Sequence, residues 1–137
     1  MPKVFSFLKI SKAINLLSDL INIPTVNSDE KTLAFYICNY FKDTGLKTEI
    51  REISENRANI VVTMKGRNSK NALMLNGHLD TVPYGNVDSW ATPPKKAVII
   101  DDKLYGRGAS DMKSGLSAMI FALKELALEG YVPENDI

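Results

Sequence analysis

Residues 72–83 read ALMLNGHLDTVP. The first five form a short, mostly apolar run, as expected of a strand buried in a sheet with both faces covered. Gly77 closes the run, and His78 and Asp80 follow it two positions apart. On extended backbone such residues project to the same face. The stretch therefore predicts a sheet strand whose carboxyl end delivers an imidazole and a carboxylate side by side. Ligand sites in open α/β sheets favour that edge.

The flanking sequence supplies the layers such a strand needs. Towards the amino terminus, Ile14, Leu17, Leu20 and Ile21 have helical spacing within residues 11–21, and Pro24 stops that helix. Ser28 is the expected cap of a second helix, with Asp29 and Glu30 in its first turn. Leu33, Ile37, Tyr40 and Phe41 form its apolar face, and Gly45 is the expected stop. Residues 47–53 and 59–64 predict strands, with a turn over 66–70. On the other side, residues 78–97 predict a long loop punctuated by Pro83, Gly85, Pro93 and Pro94, and long loops in compact domains are usually functional. Residues 98–100 and 103–105 flank Asp101-Asp102 and predict a small hairpin. A helix is expected from Asp111 to about Glu129, burying Leu116, Met119, Ile120, Leu123 and Leu126, and Gly130 closes it. Residues 132–137 lead into another strand. The expected fold class is α/β, a layered sheet with flanking helices. No internal repeat, low-complexity segment or linker divides the chain.

Bulk properties exclude several function classes. The chain has 137 residues, 45% hydrophobic and 24% charged, with a formal net charge of +1. Its basic residues are scattered, and the longest basic run is Lys95-Lys96. That leaves no field to attract nucleic acid or a membrane surface. No apolar run approaches the ~20 residues of a membrane-spanning helix, and residues 1–10 lack the pattern of a signal peptide. Cys38 is the single cysteine, which forbids an internal disulfide and fits a cytoplasmic location. It is expected as a small buried hydrophobe.

Two segments carry chemistry. In residues 77–83 the His78 imidazole can bind a metal, and the Asp80 carboxylate can orient it or a neighbouring ligand. Taken alone, a histidine near a strand end is as readily a structural hydrogen-bonding residue. The second segment, residues 106–115, reads GRGASDMKSG. Gly106 and Gly108 permit unusual backbone angles and close approach. Asp111 then stands at a helix start, either as a plain cap or as a carboxylate kept ionised for a divalent cation by the helix dipole.

Together the segments resemble the zinc aminoacylase and carboxypeptidase family, which includes acetylornithine deacetylase, succinyl-diaminopimelate desuccinylase, glutamate carboxypeptidase and several di- and tripeptidases. The likeness rests on residues 77–83, on Trp90 with Pro93-Pro94, and on residues 105–115. It spans nearly all of this chain but only the first part of a family member. The resemblance implies that His78 ligates one zinc, that Asp80 orients the metal-site histidine for catalysis, and that Asp111 bridges two zinc ions. It also implies a cis peptide bond between Asp111 and Met112. Ser114 stands where the family commonly has glycine, although some members carry serine. The implied reaction is hydrolysis of an amide bond in an N-acyl amino acid or short peptide. Two zinc ions polarise a water and the carbonyl while a glutamate acts as base, and cobalt or manganese can occupy similar sites. Residues 90–94 and 111–116 look most like the deacetylase and desuccinylase group, with a peptidase as the alternative.

The chain has one histidine and no Glu-Glu pair, whereas the family places a catalytic Glu-Glu pair and further ligands later in its sequence. The expectation is an N-terminal portion, residues 1–137, of the catalytic metal-binding domain. The rest of that domain and the dimerisation domain of a homodimeric enzyme are absent, and the chain alone is inactive. The readings of another class are a decayed fragment that aggregates when made alone, or a non-catalytic interaction module that buries its sheet edge on a partner.

Overall fold

The computed structural model describes residues 7–26 and 29–137. The expected cap at Ser28 lies outside the described residues. In chain order the elements are α1 (Phe7–Asn22), α2 (Lys31–Tyr40), β1 (Lys47–Glu52), β2 (Ala58–Thr63), β3 (Asn68–Ala72), β4 (Val98–Ile100), β5 (Lys103–Tyr105), α3 (Ser114–Leu128) and β6 (Asn135–Asp136).

The core forms where the three helices meet one face of β1 and β2. Leu16 and Leu20 of α1, Leu33 and Ile37 of α2, and Leu116, Ile120 and Phe121 of α3 are buried together with Phe41. Each such side chain contributes about 1.5–3 kcal/mol relative to exposure. On α1 the inward stripe runs through Leu16 and Leu20, one turn apart, so the expected core residue Ile14 faces outward at 40% exposure. Ion pairing anchors the start of α2, where the buried Glu30 accepts from Arg57 Nε at 2.8 Å. The helix ends before Gly45, which instead closes the following turn with φ +72°. Cys38 is only partly buried, with Sγ 3.3 Å from the Thr48 hydroxyl.

The α/β reading holds, with the described strands arranged as three two-stranded sheets. Strands β1 and β2 are antiparallel, with Lys47 opposite Thr63 and Glu52 opposite Ala58. The β4–β5 hairpin turns through Asp101 and Asp102 at φ 48° and 59°, the doubly positive geometry that two-residue hairpins prefer and aspartate tolerates. Strands β3 and β6 are parallel, and Met64 and Ile137 exchange backbone hydrogen bonds of 2.8 and 2.9 Å beside them.

Here the expected strand over 72–76 is corrected. Pairing begins at Asn68, inside the expected turn, and β3 ends at Ala72. Leu73 N–H still reaches Asp136 O, but Leu73, Met74 and Leu75 are then 56%, 85% and 51% exposed. The reason is local. Strand β6 is two residues long, and among the described residues no strand or helix covers the run beyond it. The apolar sequence is that of a buried strand, yet its neighbours are not supplied by these residues.

Candidate metal centre

Beyond the exposed run, the chain is caught again by residues just after α1. Thr81 N–H donates to Thr25 O at 3.0 Å, and Val26 and Thr81 form a parallel bridge. This fixes His78 three residues before an anchor. Gly77 packs closely there, since a Cβ would lie 3.0 Å from Met119 Cε and 3.1 Å from Met112 Cε.

Asp111 is delivered by an irregular turn, residues 109–113, ahead of α3. Gly108 opens it at φ +86°, and a Cβ there would sit 2.8 Å from Thr81 Cγ2 and 3.2 Å from Lys113 Cδ. Only glycine combines that angle with that proximity. Asp111 and Met112 have non-helical backbone, φ −125° and −128°, and the peptide bond between them is cis, as the resemblance implied. Asp111 is therefore not the cap of α3. The position before the helix belongs to Lys113, and the Asp111 carboxylate points elsewhere.

It points at the histidine. His78 Nε2 lies 2.8 Å from Asp111 Oδ1. The other ring nitrogen, Nδ1, faces the Asp80 backbone carbonyl at 2.9 Å and the Asp80 carboxylate at 3.4 Å. The structure thus brings together all three residues singled out in the sequence. The atom of Asp80 nearest the ring is its backbone oxygen. A proton on Nδ1 donated to that carbonyl leaves the Nε2 lone pair for a ligand, which is how such hydrogen bonds set the tautomer of metal-binding histidines. Without a ligand, the Asp111 hydrogen bond holds the imidazole pKa above its usual 6.5. The site is accessible, with side-chain exposures of 44% for His78 and 86% for Asp111. It opens on a cavity of about 230 Å³ whose lining includes His78, Asp80, Arg107, Gly108 and Asp111.

The residues present fit a divalent metal in part. Imidazole nitrogen and carboxylate oxygen are zinc donors, and here they converge on one another from two separate segments. Among the described residues no group of three or more His, Cys, Asp or Glu is arranged to hold a metal.

Two residues of the second segment received no role from the sequence. The Arg107 guanidinium stacks 4.8 Å from the Trp90 ring centroid and donates from Nη2 to Pro83 O at 3.0 Å. It ties the long loop to the turn carrying Asp111. Lys113 is 2% exposed, and burial pushes its pKa down to about 8. The available signal for it was a lysine two residues after Asp111 at an expected helix start.

Comparison with known proteins finds relatives in sequence and in fold. Residues 74–137 match the peptidase family M20/M25/M40. A probable succinyl-diaminopimelate desuccinylase of Staphylococcus aureus is 42% identical over 128 residues, covering 90% of this chain and 30% of its own length. Succinyl-diaminopimelate desuccinylase of Wolbachia pipientis is 36% identical over 118 residues, covering 86% and 29%. The chain thus spans less than a third of the curated relatives it matches. Among solved structures, an M20 family metallo-carboxypeptidase from Sulfolobus solfataricus superposes with TM-score 0.78 at 23% identity, over 91% of this chain and 29% of that one. Human carnosine dipeptidase 1 superposes with TM-score 0.77 at 20% identity, over 95% and 31%. At such identities these two establish the fold alone. Both motifs, residues 77–83 and 106–115, lie within the stretch that matches the peptidase M20/M25/M40 family.

Proposed function

We propose that this chain is the N-terminal portion of the catalytic domain of a metal-dependent amide hydrolase acting on N-acyl amino acids of the desuccinylase type. The observation that carries the reading is the convergence of His78 Nε2 and Asp111 Oδ1 to 2.8 Å beside an open cavity. His78 and Asp111 hold the metal, and Asp80 fixes the imidazole tautomer through its carbonyl. Zinc bound there supplies Lewis acidity towards the scissile carbonyl, and cobalt or manganese suits the same donors. The remaining ligands and the general base come from residues outside these 137, because His78 is the single histidine and no Glu-Glu pair is present. The complete enzyme is read as a cytoplasmic homodimer working on a small molecule. No described helix is long and apolar enough to cross a membrane.

The desuccinylase reading is supported over the peptidase reading by sequence. The desuccinylase-named relatives stand at 35–42% identity, whereas the dipeptidase structures stand at 20–24%. The test is an assay of the complete protein against N-succinyl and N-acetyl amino acids and against dipeptides, with and without a zinc chelator. Faster cleavage of the acyl amino acids, lost on chelation and restored by Zn²⁺, is the expected result. Preference for dipeptides would transfer the assignment to the peptidase branch, and activity indifferent to chelation would remove the metal from it.

A further inference from the structure

We infer that Lys113 is the positioning residue of the candidate metal centre, acting by latching the turn that bears Asp111 onto the end of α1. The inference rests on the metal-site reading above and adds a role for a residue that touches neither the metal donors nor the cavity.

The argument starts at Pro24. A helix leaves its last carbonyls without intrahelical donors. The carbonyl of Leu20 would ordinarily be satisfied by the amide of the residue four places on, which is Pro24, and proline has no N–H. In the structure Lys113 Nζ donates to Leu20 O and to Ile23 O, each at 2.8 Å. A cation is also the favoured group at the negative end of a helix. The ammonium thus replaces a missing backbone donor from 93 residues away. Its stem runs beneath Gly108, with Cδ 3.2 Å and Cγ 3.4 Å from where a Cβ would stand. Lys113 N–H closes the turn onto Gly108 O at 2.9 Å.

The same end of α1 holds the other half of the centre. Thr25 O accepts from Thr81 N–H, which fixes the segment bearing His78. Gly106 packs on Ile21, where a Cβ would meet Cγ2 at 2.6 Å. Residues 20–26 are therefore a common platform. His78 is docked to it by backbone pairing, and Asp111 by the Lys113 latch. The separation of 2.8 Å between the two donors is the difference between these two dockings. A methionine at position 113 keeps the apolar stem and removes the donors, leaving two carbonyls unsatisfied in a buried place. That loss moves the turn rather than the segment bearing His78.

The test uses the complete protein, freed of metal and titrated with Zn²⁺ in a calorimeter. Zinc is titrated into wild type, Lys113→Met and Lys124→Met. Lys124 also donates to a backbone carbonyl, Tyr40 O, and lies over the Tyr40 ring, so its loss controls for general destabilisation. Expected is zinc binding weakened on the order of 10–100-fold in Lys113→Met, the range for loss of a group that orients ligands, with Lys124→Met like wild type. Equal affinity in wild type and Lys113→Met, or equal weakening in both variants, overturns the latch. If Lys113→Met does not fold, Lys113→Gln, which keeps a side-chain donor, is compared in the same way. Complete wild-type protein that takes up no zinc overturns the metal-site reading itself, and the latch with it, which distinguishes the two failures.

Discussion

Replacing Gly108 by alanine drives a methyl group between the two segments that make the centre. Two separate costs arise. Alanine at φ +86° is in the left-handed region, which costs an L-residue about 1–2 kcal/mol. The added Cβ also stands 2.8 Å from Thr81 Cγ2 and 3.2 Å from Lys113 Cδ, contacts that force side chains or backbone to shift. Overpacking of this kind adds about 1–3 kcal/mol, for a total of roughly 2–5 kcal/mol. Gly45→Ala separates the terms, because Gly45 has φ +72° and nothing within 4 Å of its added Cβ. It should cost only the backbone term. Urea denaturation at micromolar concentration, followed by Trp90, the single tryptophan, gives both values. The expected difference of 1–3 kcal/mol corresponds to a midpoint about 1 M lower for Gly108→Ala, given slopes of ~1–3 kcal/mol per molar urea. Midpoints that coincide for the two variants would show that residues 81, 108 and 113 are not packed as described, and the geometry of the centre would go with them.

Three further outcomes are expected. The His78 pKa is raised above 6.5, first by the Asp111 hydrogen bond, so its stabilising effect is complete below pH 6.5 and fades as pH rises through the higher folded value. Asp111→Asn should lower the imidazole midpoint followed by NMR, and an unchanged midpoint would contradict the 2.8 Å contact. The Asp136 carboxyl is held down to about 2 by Lys65, the Gly66 N–H and Ser69. It therefore stabilises the fold above pH 3.8 and ceases to as pH falls towards 2. In a circular-dichroism acid titration Asp136→Asn should already be less stable at neutral pH and lose less between those values; a parallel acid limb would refute this. Finally, Met74 is 85% exposed between two half-exposed leucines, the kind of apolar patch that drives association. Met74→Lys should raise the concentration at which light scattering detects aggregates, and no change would locate the sticky surface elsewhere.

Much of this was legible in the sequence because the signals are local. Helical periodicity placed α1, α2 and α3 to within a few residues, alternation placed β1, and residues 59–64 were expected as the strand that β2 is. The Asp101-Asp102 pair marked the hairpin. The two Gly-rich segments marked His78, Asp80 and Asp111, and all three meet in the structure. What failed also has a local cause. Residues 72–76 are apolar enough for a buried strand, but burial is decided by what lies alongside, and β6 stops after two residues. Asp111 looks like a helix cap by composition, yet its backbone is extended and its carboxylate turns to His78.

The sequence by itself determined the elements and the chemistry available, since periodicity, glycine placement and donor type are properties of neighbouring residues. Only the tertiary structure decided the centre. The proximity of residues 78 and 111 depends on both segments docking against residues 20–26, and the Lys113 bond to Leu20 spans 93 positions. No pattern of neighbours encodes such a contact, because it exists only once Pro24 has left a carbonyl open and the fold has brought a lysine to it.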